Sequence, residues 1–99
     1  MNCRAVCDDA LTLPTALVGE EVDRLRPALL TYVRQAGGPI VSLDATDVEL
    51  ISSSGLGLLV AAALVAQEHG RRLQVRRCSE LFRESIALTG LAKHLDIAA

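Results

Sequence analysis

The chain has 99 residues, and a hydrophobic fraction of 51% supplies enough apolar material for one core. Its formal net charge is −2, whereas a nucleic-acid groove or an anionic membrane surface requires clustered excess Lys and Arg. With one Phe, one Tyr and no Trp, it lacks the aromatic platforms that stack on bases or sugars. We therefore expect a single domain over residues 1–99 that packs through aliphatic side chains and binds no nucleic acid.

The cysteines and the apolar runs indicate the compartment. Cys3, Cys7 and Cys78 are odd in number and fit neither a disulfide framework nor a paired zinc motif. No charged segment precedes an apolar segment at the N-terminus, as it would in a signal peptide. The longest apolar run, Leu56 to Ala66, is too short to span a bilayer. We expect a cytoplasmic protein that does not insert into a membrane.

The first predicted elements are a short strand and an amphipathic helix. Within Arg4 to Leu13, Leu11 and Leu13 alternate with a polar residue, as in a half-buried strand. From roughly Gly19 to Gln35, and on to the next residue, apolar residues recur at three- and four-residue spacing, namely Val22, Leu25, Leu29, Val33 and Ala36. Because a proline in a helix interior removes one hydrogen bond and clashes with the preceding turn, the helix either starts late or bends at Pro27.

A run of serines joins the next strand to the second helix. Ile40 to Leu43 is apolar and bounded by turn residues, which predicts a buried strand. Serine is a favoured N-cap, so a helix is predicted to begin within Ser52 to Ser54. Leu56 to Gln67 is apolar nearly all round, which predicts extensive burial within this domain or under a partner.

The last third predicts one more strand and one more helix. Leu73 and Val75 mark the strand, and Ser79 is the predicted N-cap of a helix that ends at Gly90. Leu91, Leu95 and Ile97 then favour a final turn or strand. Strands that alternate with helices predict an α/β fold with a largely parallel sheet, with an antiparallel edge at the N-terminus as one option.

Serines at a helix start can act as a plain cap, an anion receptor, a nucleophile or a phosphorylation site. A nucleophile needs a base, and the only histidines, His69 and His94, stand near the ends of predicted helices. The Gly-x-Ser-x-Gly pattern is also missing. We therefore predict no catalytic residue and no enzyme activity.

The remaining polar clusters predict no cofactor. Asp44, Asp47 and Glu49 lack further ligands at the regular spacing that a calcium loop requires, so no metal site is expected. Gly55 and Gly57 lack the lysine of a phosphate-binding loop. A group of arginines is consistent with either a solvated strand edge or an acidic partner: Arg71, Arg72, Arg76 and Arg77.

From Pro39 to Leu95 the chain resembles the STAS domains, a family named for sulfate transporters and anti-sigma factor antagonists. The matching segments are Ile40-Val41-Ser42-Leu43-Asp44, Ile51-Ser52-Ser53-Ser54-Gly55-Leu56-Gly57-Leu58-Leu59, His69-Gly70, Leu73-Gln74-Val75 and Phe82 to Gly90-Leu91. The resemblance implies an α/β STAS-type fold: a mostly parallel sheet of four to five strands, with about four helices packed mainly on one side.

The resemblance also implies a function. In bacterial anti-sigma factor antagonists the turn reads Asp-Ser-Ser/Thr-Gly-Leu-Gly, and a partner that is both kinase and anti-sigma factor phosphorylates the hydroxyl residue after the Asp. Ser53 matches that phosphoacceptor, and Ser52 stands where the Asp would be. The implied partner is a serine kinase of the histidine-kinase-like ATPase type. The implied partner-binding residues are Ser52, Ser53, Ser54, Gly55, Leu56 and Gly57.

A second interpretation stays open within the same family. The segment before the first helix, Cys3 to Leu13, is abbreviated, and the turn diverges at Ser52. Such members resemble the STAS subunits of lipid-asymmetry ABC transporters and of chemotaxis-type assemblies. That resemblance implies a constitutive interaction subunit that docks on a partner protein without phosphorylation.

Overall fold

The computed structural model describes residues 10–97, in which strands and helices alternate. The strands are β1 (Leu11–Thr12), β2 (Ala16–Leu17), β3 (Ile40–Ala45), β4 (Leu50–Ile51), β5 (Arg72–Cys78) and β6 (Asp96–Ile97). The helices are α1 (Gly19–Arg34), α2 (Ser53–Glu68) and α3 (Glu80–Thr89), followed by a short 3-10 turn, Leu91–Lys93. The short strand predicted from the alternation of Leu11 and Leu13 is β1. The part of Arg4 to Leu13 that precedes residue 10, with Cys7, and also Cys3 lie outside the described residues, whereas Cys78 is a free, half-buried thiol.

Within residues 10–97 the strands form two sheets, and every pair of hydrogen-bonded strands is parallel. The larger sheet has the order β1-β3-β5-β6, and β2 pairs with β4 in a second, two-stranded sheet. Successive strands of the larger sheet advance in one direction, so right-handed crossovers place the helices on the same face. The predicted α/β fold is confirmed. Within residues 10–97 the N-terminal edge, β1, is parallel and not antiparallel.

Three α-helices are present in residues 10–97, where about four were expected. The last apolar residues, Leu91 and Leu95, are buried, but they belong to the 3-10 turn and to the approach to β6. This segment contains too few residues between Gly90 and Asp96 for a regular helix. The difference leaves the layer arrangement unchanged.

The core lies between the larger sheet and the helices. Inward-facing residues of β3 and β5 are 0–1% exposed, namely Val41, Leu43, Ala45, Leu73 and Val75. The alternate residues Ser42 and Gln74 are only half-buried, as the two-residue periodicity of a strand requires. Each helix adds buried residues to the same cluster, among them Leu29, Leu59 and Phe82. One face of the sheet is thus apolar and covered by helices.

The proline in the first helix does not mark its start. The helix α1 begins at Gly19 and includes Pro27 in its interior, so the option of a late start is wrong. Pro27 is exposed, and the α1 residues that reach the core are Val22, Leu29 and Val33. Burial of this apolar stripe outweighs the hydrogen bond that the proline removes.

Part of the arginine cluster has a structural role. The Arg71 guanidinium donates hydrogen bonds to the carbonyl oxygens of Arg34 (3.1 Å), the last residue of α1, and of Gly38 (3.2 Å), in the loop that follows. Arg72 forms a two-pronged ion pair with Asp96 of β6, with both N–O distances at 2.9 Å. These two arginines therefore connect β5 and the residue before it to α1 and β6.

No helix in the described residues is long and apolar enough to cross a membrane.

Candidate functional site

The predicted site is the start of α2, where it leaves the small β2–β4 sheet. Leu17 of β2 pairs with Ile51 of β4, and Ser52 is the next residue and the N-cap of α2, with φ −101° and ψ 174°. The backbone amide of Ser52 donates to the Leu17 carbonyl oxygen at 3.0 Å. We call residues Ser52 to Gly57 the serine turn. Its position is set by pairing with β2, a strand 35 residues earlier in the chain.

The hydroxyl groups of Ser52 and Ser54 are both used inside the serine turn. The Ser52 hydroxyl donates to the Leu17 carbonyl oxygen at 3.2 Å and accepts from the Gly55 amide at 3.3 Å. It also lies 2.8 Å from the Ser54 hydroxyl. Since a serine hydroxyl has only one proton and that of Ser52 is donated to Leu17, Ser54 is the donor in that contact. Both side chains therefore hold the turn together.

Ser53 differs from its two neighbours. It is exposed, it is the first residue of α2, and in the described part of the chain its hydroxyl has no hydrogen-bond partner. The unpaired amides and the dipole of α2 favour negative charge at this end of the helix. Ser54 is exposed as well, but its hydroxyl is bonded to that of Ser52. Among the three serines, Ser53 alone combines exposure with a hydroxyl that has no partner in residues 10–97, and it is the predicted phosphoacceptor. Phosphorylation itself stays a prediction.

The two glycines of the serine turn face opposite environments. Gly55 is buried, and a Cβ there would clash with the Leu17 carbonyl oxygen and lie 3.0 Å from the Leu17 Cβ. Gly57 is exposed, and a Cβ there would meet nothing within 4 Å. Gly55 therefore permits the close approach of α2 to β2. Gly57 has no side chain, so the helix backbone is uncovered on the outer side of α2 at that position. Leu56, between them, is half-buried.

An uncharged strip continues from Ser53 along the outer side of α2. Ser53, Gly57, Val60 and Leu64 recur at intervals of four and three residues and so lie on one helix face. We call these four residues the outer face of α2. Leu64 is 45% exposed, and no charged residue occurs between Ser52 and Gln67. The predicted burial of α2 is therefore one-sided, since Leu58, Leu59, Ala62 and Ala66 fill the core while the outer face stays open.

Sequence patterns alone did not identify Leu50 as an exposed apolar residue next to the serine turn. Leu50, in β4, is 59% exposed and stands shortly before the serine turn. A two-residue strand has no periodicity by which its outward side could be recognised. Its pairing with β2 makes Leu50 point away from the core.

Neither histidine adds a base that the described contacts connect to Ser53. The ring nitrogen Nδ1 of His69 lies 2.9 Å from the Val65 carbonyl oxygen, at the opposite end of α2 from the serine turn. The helix separates the two positions by about 24 Å at 1.5 Å per residue. His94 comes after the 3-10 turn and is half-buried.

The acidic residues after β3 are arranged as a turn. The backbone amide and the hydroxyl of Thr46 both donate to the Asp44 carboxylate, at 2.9 and 2.6 Å. These hydrogen bonds, assisted by the charges of Arg77 and Arg76, lower the pKa of Asp44 below its usual value. Within residues 10–97, no three acidic, histidine or cysteine side chains are grouped as a metal ion would require.

Comparison with known proteins identifies a family. A family model described as "Mlab, STAS domain" matches residues 4–97, which include every described element and the whole serine turn. A search of the curated proteins gave no match. The resemblance seen in the strand, turn and helix segments from Pro39 to Leu95 is thereby confirmed, and it extends over the N-terminal strand and α1 as well.

Proposed function

The chain belongs to the STAS domain family, and on that premise we propose that it is an anti-sigma factor antagonist-like regulator whose docking is switched at Ser53. The family match supports a regulatory or protein-interaction role in general. The specific proposal rests on one observation: Ser53 alone of the three serines is exposed with a hydroxyl unbonded in the described residues, beside the uncharged outer face of α2.

The proposed partner is an anti-sigma factor that is also a serine kinase of the histidine-kinase-like ATPase type. The unphosphorylated chain binds this partner through the serine turn and the outer face of α2, which frees a sigma factor for bacterial transcription. Leu64 and Val60 supply apolar area that is partly open to water. Because Gly57 has no side chain, the partner can approach the helix backbone closely at this position.

The switch step transfers the γ-phosphoryl group of ATP to the Ser53 Oγ. The Oγ–P bond forms as the bond to the ADP leaving oxygen breaks, and the hydroxyl proton passes to a base on the partner. The chain itself supplies no carboxylate at this place, because Ser52 stands where the antagonists carry Asp. Catalysis is therefore assigned to the kinase, and this chain acts as substrate and ligand.

The phosphorylated chain would keep its fold and lose its docking surface. A phosphoserine carries roughly −1.5 to −2 charges at neutral pH. At the first position of α2 that charge faces the positive end of the helix dipole, which favours the folded state. The same charge beside the outer face would have to be desolvated when a partner covers it, and this opposes binding.

Intact-mass spectrometry tests the phosphorylation step directly. After incubation with ATP and a candidate kinase, we expect one added phosphate on the wild-type chain and on Ser54→Ala, and none on Ser53→Ala. Ser54→Ala is the matched control, since its hydroxyl is bonded inside the turn. A phosphate that persists in Ser53→Ala would assign the acceptor elsewhere.

Binding measurements test the docking step. Ser53→Asp should weaken binding to the kinase by about tenfold or more, which corresponds to about 1.4 kcal/mol. Thr31→Asp is the matched control, because Thr31 is also exposed on a helix. It lies about 18 Å from the first residue of α1, which is the end of α1 that is next to β2 and the serine turn. Equal binding of all three chains would contradict a charge switch at Ser53.

A constitutive docking subunit, as in a lipid-asymmetry ABC transporter or a chemotaxis-type assembly, is the second candidate. One observation favours it: Ser52 replaces the carboxylate of the antagonist turn. In this case Leu64→Lys should abolish complex formation while Ser53→Asp leaves it intact. Leu88→Lys is the control, since Leu88 is 87% exposed on a different helix.

A further inference from the structure

A pocket beside α1 lies at the carboxyl ends of β1 and β3. It is open to solvent and has a volume of about 470 Å³, within the range of sites that hold small groups. Its apolar floor consists of Leu13, Pro14, Leu25 and Ala28. The crevice outside the carboxyl ends of parallel strands is the usual position of binding sites in open α/β sheets.

The charges around this pocket are predominantly negative. Among residues 10–97, Arg24 is the single cation in the lining, and its guanidinium is paired with Glu21 at 2.9 Å and Glu20 at 3.8 Å. Asp47 lines the opposite side, from the loop after β3, and its carboxylate has no ion pair or hydrogen bond to any residue from 10 to 97. Glu49 adds a further exposed carboxylate to the same loop. The pocket lining therefore combines apolar residues with one carboxylate, that of Asp47, that has no partner within residues 10–97.

The pocket is close to the serine turn because both are attached to β2. The Thr15 carbonyl oxygen, at the pocket, accepts hydrogen bonds from the backbone amides of Glu49 (2.7 Å) and Leu50 (3.2 Å). Leu17, two residues further along, accepts from Ser52. Two residues of extended strand span about 7 Å. A protein that covers the serine turn can therefore reach the pocket with one side chain.

We propose that this pocket receives an arginine or lysine side chain of the protein that docks on the serine turn. The aliphatic stem of such a side chain would pack on Leu13 and Leu25, and its cationic head would pair with Asp47. An anionic ligand is disfavoured because Arg24, the one cation that lines the pocket in the described part of the chain, is already paired. The inference relies on the proposed function only for the identity of the docking protein.

A titration with small probes tests the pocket without any partner. The probes are N-acetyl-arginine amide and the neutral, nearly isosteric N-acetyl-citrulline amide, added to isotopically labelled protein and followed by amide chemical shifts. We expect the arginine probe to shift amides of Thr12 to Thr15, Glu21 to Ala28 and Asp47, with an affinity about fivefold above that of citrulline.

Matched variants separate the pocket from general attraction to an acidic protein. Asp47→Asn should reduce the affinity for the arginine probe to that for citrulline. Glu84→Gln, which removes an exposed carboxylate from α3, should leave the titration unchanged. Shifts that are equal for both probes, or that are unaffected by Asp47→Asn, would overturn the proposal.

Binding to the candidate kinase tests the same pocket in the complex. Asp47→Lys should weaken binding by about tenfold and reduce its salt dependence, whereas Glu84→Lys should change neither. If Asp47→Lys binds like the wild-type chain, the pocket is not part of the interface. If no kinase binds the wild-type chain, the proposed function fails, and the probe titration still decides the chemistry of the pocket.

Discussion

The helices α2 and α3 both begin with a serine N-cap whose hydroxyl also donates a hydrogen bond to the backbone of another segment. The Ser52 hydroxyl donates to the Leu17 carbonyl oxygen at 3.2 Å and accepts from the amide three residues later at 3.3 Å. The Ser79 hydroxyl donates to the Val48 carbonyl oxygen at 2.7 Å and accepts from the amide three residues later at 3.1 Å. A serine cap with these contacts is therefore a structural feature in both places.

The residues of the first helical turn distinguish the two helices. After Ser79 come Glu80, an exposed acid at the first helical position, and Phe82, which is fully buried. After Ser52 come Ser53, whose exposed hydroxyl has no partner in the part of the chain that the structure describes, and Gly55, which lies against β2. The start of α3 thus contributes an acid and a core residue, whereas the start of α2 presents a hydroxyl on an uncharged surface.

The largest expected difference concerns the glycines of the serine turn. Gly55→Ala should lower the free energy of unfolding by about 3 kcal/mol, because the added Cβ clashes with the Leu17 backbone and the turn cannot shift without breaking its pairing with β2. Chemical denaturation followed by far-UV circular dichroism measures this change.

Gly57→Ala is the control on the same helix. Its Cβ would enter open space, so the higher helix propensity of alanine should raise stability by up to about 1 kcal/mol. If both variants were equally stable, the close approach of α2 to β2 would not be a constraint on this sequence.

The next effect compares the two caps. Ser79→Ala should cost about 1.5 kcal/mol and Ser52→Ala about 1 kcal/mol, because each loses a cap and a bridge and the bonds of Ser79 are shorter. The measurement is again chemical denaturation, with Ser85→Ala as a mid-helix serine control. A larger loss for Ser52→Ala would reverse the ranking inferred from distances.

The smallest expected change in stability comes from the charge at the first residue of α2 and of α3. Ser53→Asp should stabilise the protein by about 0.5 kcal/mol and Glu80→Gln should destabilise it by a similar amount, since each changes one negative charge at a helix N-terminus. Thermal denaturation at low and high salt would show both differences shrinking as salt screens the dipole. Unfolding of Ser53→Asp would mean that this position cannot serve as a switch by surface charge.

The regular elements were accessible from sequence because their signals are local. The spacing of Val22, Leu29 and Val33 predicted α1, and serine capping predicted the starts of α2 and α3 near Ser52 and Ser79. The resemblance to STAS domains, carried mainly by the strand and serine turn after Pro39, is confirmed by the family match. Each of these signals depends on residues within a few positions of one another.

The parts that were missed depend on distant residues. The strand β4 contains only Leu50 and Ile51, and it exists because β2 pairs with it. Sequence patterns could not decide whether Pro27 delays α1, because the answer depends on how much apolar surface the first turns bury. Nor could they assign Arg71 to the end of α1, which lies more than 30 residues earlier.

The sequence by itself determined the alternation of strands and helices, the serine cap and the family. Each of these follows from a local signal, namely hydrophobic periodicity, a capping residue or a short motif, which depends on residues close together in the chain. Only the tertiary structure decided which serine hydroxyl is left unbonded within residues 10–97 and which glycine lies against a neighbouring strand. The bonds of Ser52 to Leu17 and the contact of Gly55 with the same residue join segments far apart in the chain. Three adjacent serines are chemically alike, and their packing against β2 makes them different.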